Sequence, residues 1–582
     1  MLDQITIAQF DPAPGDIDGN TSQILALMAA AQQQGAQLVV FPEECISGYC
    51  VGDLNRNEML VRESLAALEQ RIAPAAGATA AVIGLIAPLT DKNLNDGAPG
   101  ACNGFAVVQH GRVVGRGSKS LLVDDGVFYD SRYFLPAAVP DIRPVTIQTA
   151  TGTLSLGIMV CHDMWDDFSG HKPSTILAGQ GAQVLVVINS SPYHARRLEG
   201  RLATARARVA ETGLPLVYAN ACSVQDNGKN VILFDGGSFI LDGLGDARLL
   251  APQFVPGLFQ AGPEVVPDSP RKSRSDELLD ALIFGLGGFF RRTGVDNAVI
   301  GLSGGIDSSV SAALLVQTLG PNKVLGINMP TRFSSRTTRD NAEELARRLG
   351  IEYVVHPIEE TVRQKQESYL AVTGQSMATL TFENVQARER GNVLMTYAQE
   401  RGGLVVGNGN KTEFQRGYAT MYGDILGALM PLGDLAKTDV YRVANAINER
   451  CGDPIPEGVF SIPPSAELSA EQDIDKGQGD PFDYDVEGPM GQELIENERT
   501  PATLRQLFAQ RGLDPELWQP VRSPVTVYEK FTPVEFEELA WEVFRAIERT
   551  VFKRIQAPPV LKLSRKAFGF DLREAGFARL KF

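Results

Sequence analysis

Residues 299–310 read Val-Ile-Gly-Leu-Ser-Gly-Gly-Ile-Asp-Ser-Ser-Val, and this stretch limits the folds open to the chain more than any other. An apolar strand, 298–302, runs into two glycines, two hydroxyls and a carboxylate; an apolar helix is predicted from 309 to 319, closed by Gly320. Glycine lets a backbone approach an anion closely, and a helix start offers unpaired N–H groups at the positive end of a dipole. Strand, anion-binding turn and helix in that order belong to a parallel α/β sheet, which binds ligands at the carboxyl ends of its strands. No Lys-Ser/Thr pair closes the glycine run, so this is not the common P-loop. Asp307 sits inside the turn instead, placed to hold Mg2+ on a triphosphate.

A chain of 582 residues exceeds what one core organises, so two large domains are expected. Strand-length apolar runs at 37–41, 80–87, 154–160 and 184–188 alternate with helix-like stretches such as 22–34 and 58–72. Hairpin signals lie at His110-Gly111 and Asp242-Gly243, and residues 1–250 read as a mixed α/β layer domain. Residues 251–275, Pro-rich and then basic, read as a linker. From 276 to 582 strands at 299, 324–329 and 353–357 alternate with helices, the pattern of a doubly wound parallel sheet. Residues 470–530, rich in Asp, Glu, Gly and Pro, read as mobile loop and an excursion from that sheet.

The net charge of −16 argues against nucleic-acid or anionic-membrane partners while leaving room for a small anion in a local basic pocket. No signal peptide and no transmembrane run is expected, and six scattered cysteines form neither a disulfide framework nor a metal-spaced cluster. A reducing cytoplasm fits.

In the first half, ionisable groups repeatedly follow apolar strands. Glu43 lies in Phe41-Pro42-Glu43-Glu44 with Gly48-Tyr49 beyond; Lys119 follows the first hairpin; Cys161 ends the strand 156–160 and opens Cys-His-Asp-Met-Trp. A cysteine at a strand end, taken alone, suits core packing as well as catalysis. The three sites together resemble the nitrilase/amidase superfamily, whose centre is a Glu-Lys-Cys triad, and the match spans residues 1–250. That resemblance implies an αββα sandwich, Glu43 as general base, Cys161 as nucleophile and Lys119 as stabiliser of the oxyanion. These residue types suit the chemistry, since a thiol needs a base and a developing negative charge favours a nearby ammonium. The segment 189–197 resembles the family's substrate-carboxylate loop, implying Ser191 and Arg197 for the amino-acid end of glutamine; its other reading is a basic surface loop. His162 and Asp125 stand where glutaminase members usually carry Glu and Tyr, and both positions belong to the implied glutamine pocket.

The loop Gly301, Leu302, Ser303, Gly304, Gly305, Ile306, Asp307, Ser308 resembles the ATP-pyrophosphatase signature, found in enzymes that adenylate a substrate and release pyrophosphate. Further segments, 329–335, 383–388, 409–413, 417–424, 437–438 and 553–559, follow in the order of the NAD+ synthetases. With the nitrilase-like half in front, the whole chain resembles the glutamine-dependent NAD+ synthetase family. The implied substrates are glutamine, ATP and deamido-NAD+, with Mg2+ as cofactor and a homo-oligomer as the assembly. Asp307 and Glu413 are the implied Mg2+ ligands; Asn384, Arg388, Glu413, Asp424, Lys437 and Lys553 are implied at deamido-NAD+. Asn408 takes the place of a usual Thr beside the adenine of ATP. Lys411 and Lys437 are expected to neutralise phosphate. The alternative is an ammonia-dependent synthetase whose nitrilase-like domain is inactive or regulatory.

Overall fold

A computed structural model describes residues 2–89, 100–167, 169–267, 272–569, 571, 572 and 574. The chain divides into two compact units: the first reaches Gly228 and resumes from Ile232 to the boundary at 271, and the second takes Lys229–Val231 with the described residues from Lys272.

The first unit begins with β1 (Ile5–Gln9), β2 (Leu38–Val40), β3 (Ala80–Pro88), β4 (Ala101–Gln109), β5 (Arg112–Ser118), β6 (Val145–Thr149) and β7 (Gly152–Val160). It continues with β8 (Val184–Asn189), β9 (Leu216–Asn220), β10 (Cys222–Asp226), β11 (Val231–Asp235), β12 (Phe239–Leu241), β13 (Ala247–Leu250) and β14 (Gly257–Gln260). Two six-stranded sheets result, ordered β14-β1-β2-β3-β4-β5 and β13-β12-β9-β8-β7-β6. Side chains alternate across a strand, so each apolar run serves two faces. Ile5, Ile7, Leu38, Val40 and Val82 share one core with Leu156, Ile158, Val184 and Val186 of the other sheet. The alternate residues Ala8, Val39, Ala81 and Ile83 pack with apolar residues of the helices Ile17–Gln33 and Glu58–Ala67. Met159, Leu185 and Val187 do the same with the helices Pro173–Gly179 and Arg197–Thr212. This is the αββα sandwich that the resemblance implied.

Residues 251–275 depart from a simple linker. β14 pairs antiparallel with β1, from Thr6↔Gln260 to Gln9↔Gly257, and Ser273 caps the helix Arg274–Thr293. A four-residue strand between Pro256 and Pro263 has too little alternation to stand out against its prolines.

The second unit carries β15 (Ala298–Gly301), β16 (Val324–Asn328), β17 (Glu352–Val355) and β18 (Leu404–Val406), all parallel in the order β17-β16-β15-β18. The strand order reverses beside β15, which places the ligand crevice at the carboxyl ends of β15 and β18. The stretch 470–530, expected as mobile loop and an excursion from the sheet, holds the helices Tyr484–Ile495 and Pro501–Ala509; with Pro533–Arg549 they bury Met490, Leu494, Leu504, Phe508, Trp518 and Phe536 in a core that also takes in Phe414, Ile425 and Met430. Among the described residues no helix is long and apolar enough to cross a membrane.

Candidate active sites

In the first unit three strand ends converge. Glu43, beyond β2, is fully buried, as is Lys119 beyond β5. Glu43 Oε1 accepts from Lys119 Nζ at 3.1 Å and from Asn103 Nδ2 at 2.7 Å, and its Oε2 accepts from the Ser190 N–H at 2.7 Å. Lys119 Nζ also pairs with Asp130 Oδ2 at 2.8 Å. Burial pushes the Glu43 carboxyl up, against the pull of Lys119. For Lys119 burial opposes the charge, yet Glu43 and Asp130 hold its ammonium well above the ordinary range. Glu44, fully buried and with neither oxygen hydrogen-bonded among the described residues, is pushed well up by burial and by Glu43.

Cys161 follows β7 in a left-handed conformation, φ +46°, strained for a residue with a side chain. Burial, and then Glu43, raise its thiol, while Lys119 and Arg197 act the other way. Asp163 fixes the turn: its carboxylate accepts from the N–H groups of Val160, Ser120 and Leu121 at 2.8–3.0 Å and from the Ser120 hydroxyl at 2.8 Å. The nucleophile's turn is thereby tied to the residues that follow Lys119. Gly84 of β3 is required by close approach, because a Cβ there would lie 2.3 Å from the Pro42 carbonyl and 2.6 Å from the Glu44 nitrogen.

Ser191 is buried and its hydroxyl accepts from Arg201 Nε at 3.2 Å; Arg197 opens the helix Arg197–Thr212 close enough to act on the Cys161 thiol. Asp125 is exposed in a turn, and among the described residues its carboxylate bonds none of Glu43, Lys119 and Cys161. Burial, and then Lys119, push the His162 imidazole down, favouring its neutral form. Sequence reasoning missed Asp130, Asn103 and Ser190, which no motif marks.

In the second unit the helix predicted from 309 begins at Ile306, with Gly305 as its cap, so Asp307 and Ser308 belong to its first turn. The glycines had hidden that turn. Gly304 adopts φ +86°, and a Cβ on it would stand 1.9 Å from the Thr338 carbonyl oxygen. A cavity of about 290 Å3 opens above, walled by Gly301–Ser303, Gly305–Ser308 and Asn408. Asp307 Oδ1 accepts from Asn410 Nδ2 at 3.0 Å, and Lys437 Nζ bridges Asp307 to Glu413, 3.3 Å from the latter. Burial, with Asp307 nearby, pushes Glu413 up to about 8 despite Lys437; Asp307 and Glu413 outweigh burial to raise Lys437. Among the described residues no three or more His, Cys, Asp or Glu side chains form a metal cage. Two hard carboxylates beside a phosphate cradle do suit Mg2+, which keeps waters and phosphate oxygens as its other ligands.

Asn408 Nδ2 donates to the Gly301 carbonyl at 3.0 Å, and among the described residues its buried Oδ1 has no hydrogen-bond partner. Asn384, Arg388, Asp424 and Lys553 meet on the turn 417–424 instead of on the cradle. Asn384 Oδ1 accepts from the Thr420 hydroxyl at 2.7 Å, and Arg388 Nε donates to the Met421 carbonyl at 3.3 Å. Lys553 Nζ donates to the carbonyls of Gly417 and Ala419, each at 2.8 Å. Asp424 accepts from the Thr420 N–H, lines the cavity and is raised to about 6 by burial. Lys411 does not reach the phosphate site: its ammonium is buried on Asp434, Glu496, Ser564 and the Lys566 carbonyl. Arg390 was missed. It shares the cavity-lining face of the helix Thr379–Arg401 with Ala387, Gly391 and Leu394, whereas Arg388 lies on the next face.

Residues 4–261 match the carbon-nitrogen hydrolase family, and residues 279–522 the NAD synthase family. A glutamine-dependent NAD(+) synthetase of Rhodobacter capsulatus is 32% identical over 98% of this chain and 97% of its own. One from Thermotoga maritima is 30% identical over the same shares. The glutamine-dependent NAD+ synthetase of Acinetobacter baumannii, solved with adenosine diphosphate, covers 99% of both chains at 27% identity and a TM-score of 0.71. The Cytophaga hutchinsonii synthetase shares the fold, with a TM-score of 0.77 at 18% identity over 98% of both chains. Matched over 98% of its length by relatives 32% and 30% identical to it, this chain belongs to the glutamine-dependent NAD(+) synthetase family.

Proposed function

We propose that this chain makes NAD+ from deamido-NAD+, ATP and glutamine, releasing AMP, pyrophosphate and glutamate. The observation that carries the reading is the buried Glu43–Lys119 pair beside Cys161 in a chain that also holds the Ser303–Ser308 cradle. Glu43, made more basic by burial, takes the Cys161 proton as sulfur attacks the glutamine side-chain amide carbon. Lys119 lies where it stabilises the oxyanion. The amide nitrogen leaves as ammonia with the proton that Glu43 carried, and water then releases glutamate from the thioester. Ser191 and Arg197 hold the amino-acid end of glutamine.

In the second unit the N–H groups at Ile306–Ser308 and the Lys437 ammonium receive the pyrophosphate end of ATP. Asn408 Oδ1, unpartnered among the described residues, supplies an acceptor for the adenine amino group. Asp307 and Glu413 would hold Mg2+, which neutralises charge on the phosphates. Once the nicotinate carboxylate carries AMP it has a good leaving group, and ammonia completes the amide. Asn384, Arg388, Asp424 and Lys553, gathered on the turn 417–424, are assigned to deamido-NAD+. A homo-oligomer in a reducing cytoplasm remains part of this reading; six free cysteines are in keeping with such a compartment.

Cys161→Ala tests the division of labour. Glutamine-driven synthesis is expected to fall at least about 1,000-fold while ammonia-driven synthesis stays within about twofold of wild type. Equal loss with both nitrogen sources overturns the reading, and no loss with either favours an inactive first domain.

A further inference from the structure

Two arginines stand one turn apart at the start of the helix Arg197–Thr212, and they are used in opposite ways. Arg201 is fully buried and its guanidinium is fully engaged. Nη1 donates to the Asp235 carboxylate at 2.8 and 3.0 Å, Nε to Ser191 Oγ at 3.2 Å, and Nη2 to the carbonyls of Ser191 and Pro192 at 2.8 and 3.2 Å. Arg197 is half-buried, and among the described residues its guanidinium has neither a hydrogen bond nor an ion pair. It lies over the ring of Trp165, 4.4 Å from the guanidinium carbon to the ring centroid, with Arg201, Tyr218, Cys161 and Asp235 near enough to act on its charge. An indole attracts a cation through its face without using an N–H, so the donors in the guanidinium plane stay open.

Trp165 is itself held. It ends the short turn Cys161–Met164 that carries the nucleophile, its N–H donates to the His162 carbonyl at 2.8 Å, and its ring packs on the core that includes Met164, Ala205 and Val209.

We propose that Trp165 is the positioning residue for the carboxylate end of glutamine: it fixes the plane of Arg197 by one face and leaves the edge free to grip a carboxylate in fork geometry. The proposal rests on the assignment of Arg197 to that carboxylate. Because the indole belongs to the nucleophile's own turn, one rigid side chain sets the distance between the grip and Cys161.

The test measures glutamine hydrolysis by the full chain, with ATP and deamido-NAD+ present, for wild type, Trp165→Leu, Trp165→Phe and Arg197→Ala. The comparison substrate is glutamine with its α-carboxylate converted to a neutral amide. Trp165→Leu is expected to raise KM for glutamine about 5- to 30-fold with kcat within about threefold of wild type. Trp165→Phe keeps a ring face, so its KM should rise no more than about threefold. With the neutral analogue wild type and Trp165→Leu should show equal KM, since there is no carboxylate to grip. A KM that rises for both substrates, or a loss confined to kcat, overturns the positioning role. Arg197→Ala separates the two levels of failure. If it raises the glutamine KM and Trp165→Leu does not, the stacking proposal alone falls; if it leaves that KM unchanged, the assignment of Arg197 falls first.

Discussion

The cluster around Cys161 and the cavity over Ser303–Ser308 each set two carboxylates on one lysine, the first fully buried and the second at a cavity wall. In the first unit Lys119 answers Glu43 and Asp130 inside a fully buried set, and Glu44 beside them is pushed toward its neutral form. There the carboxylates and the ammonium answer one another within the chain, and Arg197 beside them keeps its donors open among the described residues. In the second unit Asp307 and Glu413 share a single Lys437 at the wall of a 290 Å3 cavity, and Glu413 is raised to about 8. That balance suits a visitor carrying both a cation and phosphates, which would relieve the carboxylates and engage the lysine. The first cluster is closed by burial, whereas the second opens on a cavity in which a ligand can share its charges.

The sharpest way to break this comparison is Asp307→Asn. Synthesis should fall about 1,000-fold or more with either nitrogen source, while glutamine hydrolysis without nucleotide persists. Pyrophosphate release that survived in this variant would remove Asp307 from the metal site. Lys119→Met asks the converse of the first unit. It leaves Glu43 and Asp130 buried without their cation, so glutamine hydrolysis should vanish and urea unfolding should register a loss of about 3–5 kcal/mol. Stability unchanged in that variant would mean the cluster is less closed than its burial indicates.

Two glycines provide a matched pair. Gly304→Ala drives a methyl into the Thr338 carbonyl in a left-handed turn, and Gly84→Ala drives one into the backbone under Glu43. Each should cost its own site about 100-fold or more and spare the other's partial reaction, read as ammonia-driven synthesis for one and glutamine hydrolysis for the other. The smallest effect concerns pH. A base whose proton affinity is raised loses its ionised form earlier as pH falls, so the acid limb of kcat/KM for glutamine should lie above the 4.5 of an ordinary glutamate. A limb at or below that value would contradict the burial that raises Glu43.

Much of this was legible before any coordinates. Strand-length apolar runs pointed to a mixed α/β layer domain and the resemblance at Glu43, Lys119 and Cys161 implied the sandwich, while the Ser303–Ser308 turn pointed to a phosphate cradle because glycine allows close approach. Other features were hidden for physical reasons. β14 is too short and too closely flanked by proline to show alternation, and Leu504, Phe508 and Trp518 lay in a stretch whose acidic and Pro-rich composition masked an apolar core. Lys411 carried the sequence position of a phosphate ligand, yet Asp434 and Glu496 claim its ammonium. Asp125 stands at a pocket position by resemblance and lies exposed in its turn.

By itself the sequence determined which chemical groups follow which strand ends, since local hydrophobic pattern and turn residues act over a few neighbours. It therefore named Glu43, Lys119 and Cys161, and the turn at 303–308. Only the tertiary structure decided which charges meet and which donors stay open. Asp130 on Lys119, Glu413 on Lys437 and Trp165 under Arg197 join residues whose pairing depends on how distant segments pack, and no local pattern records that.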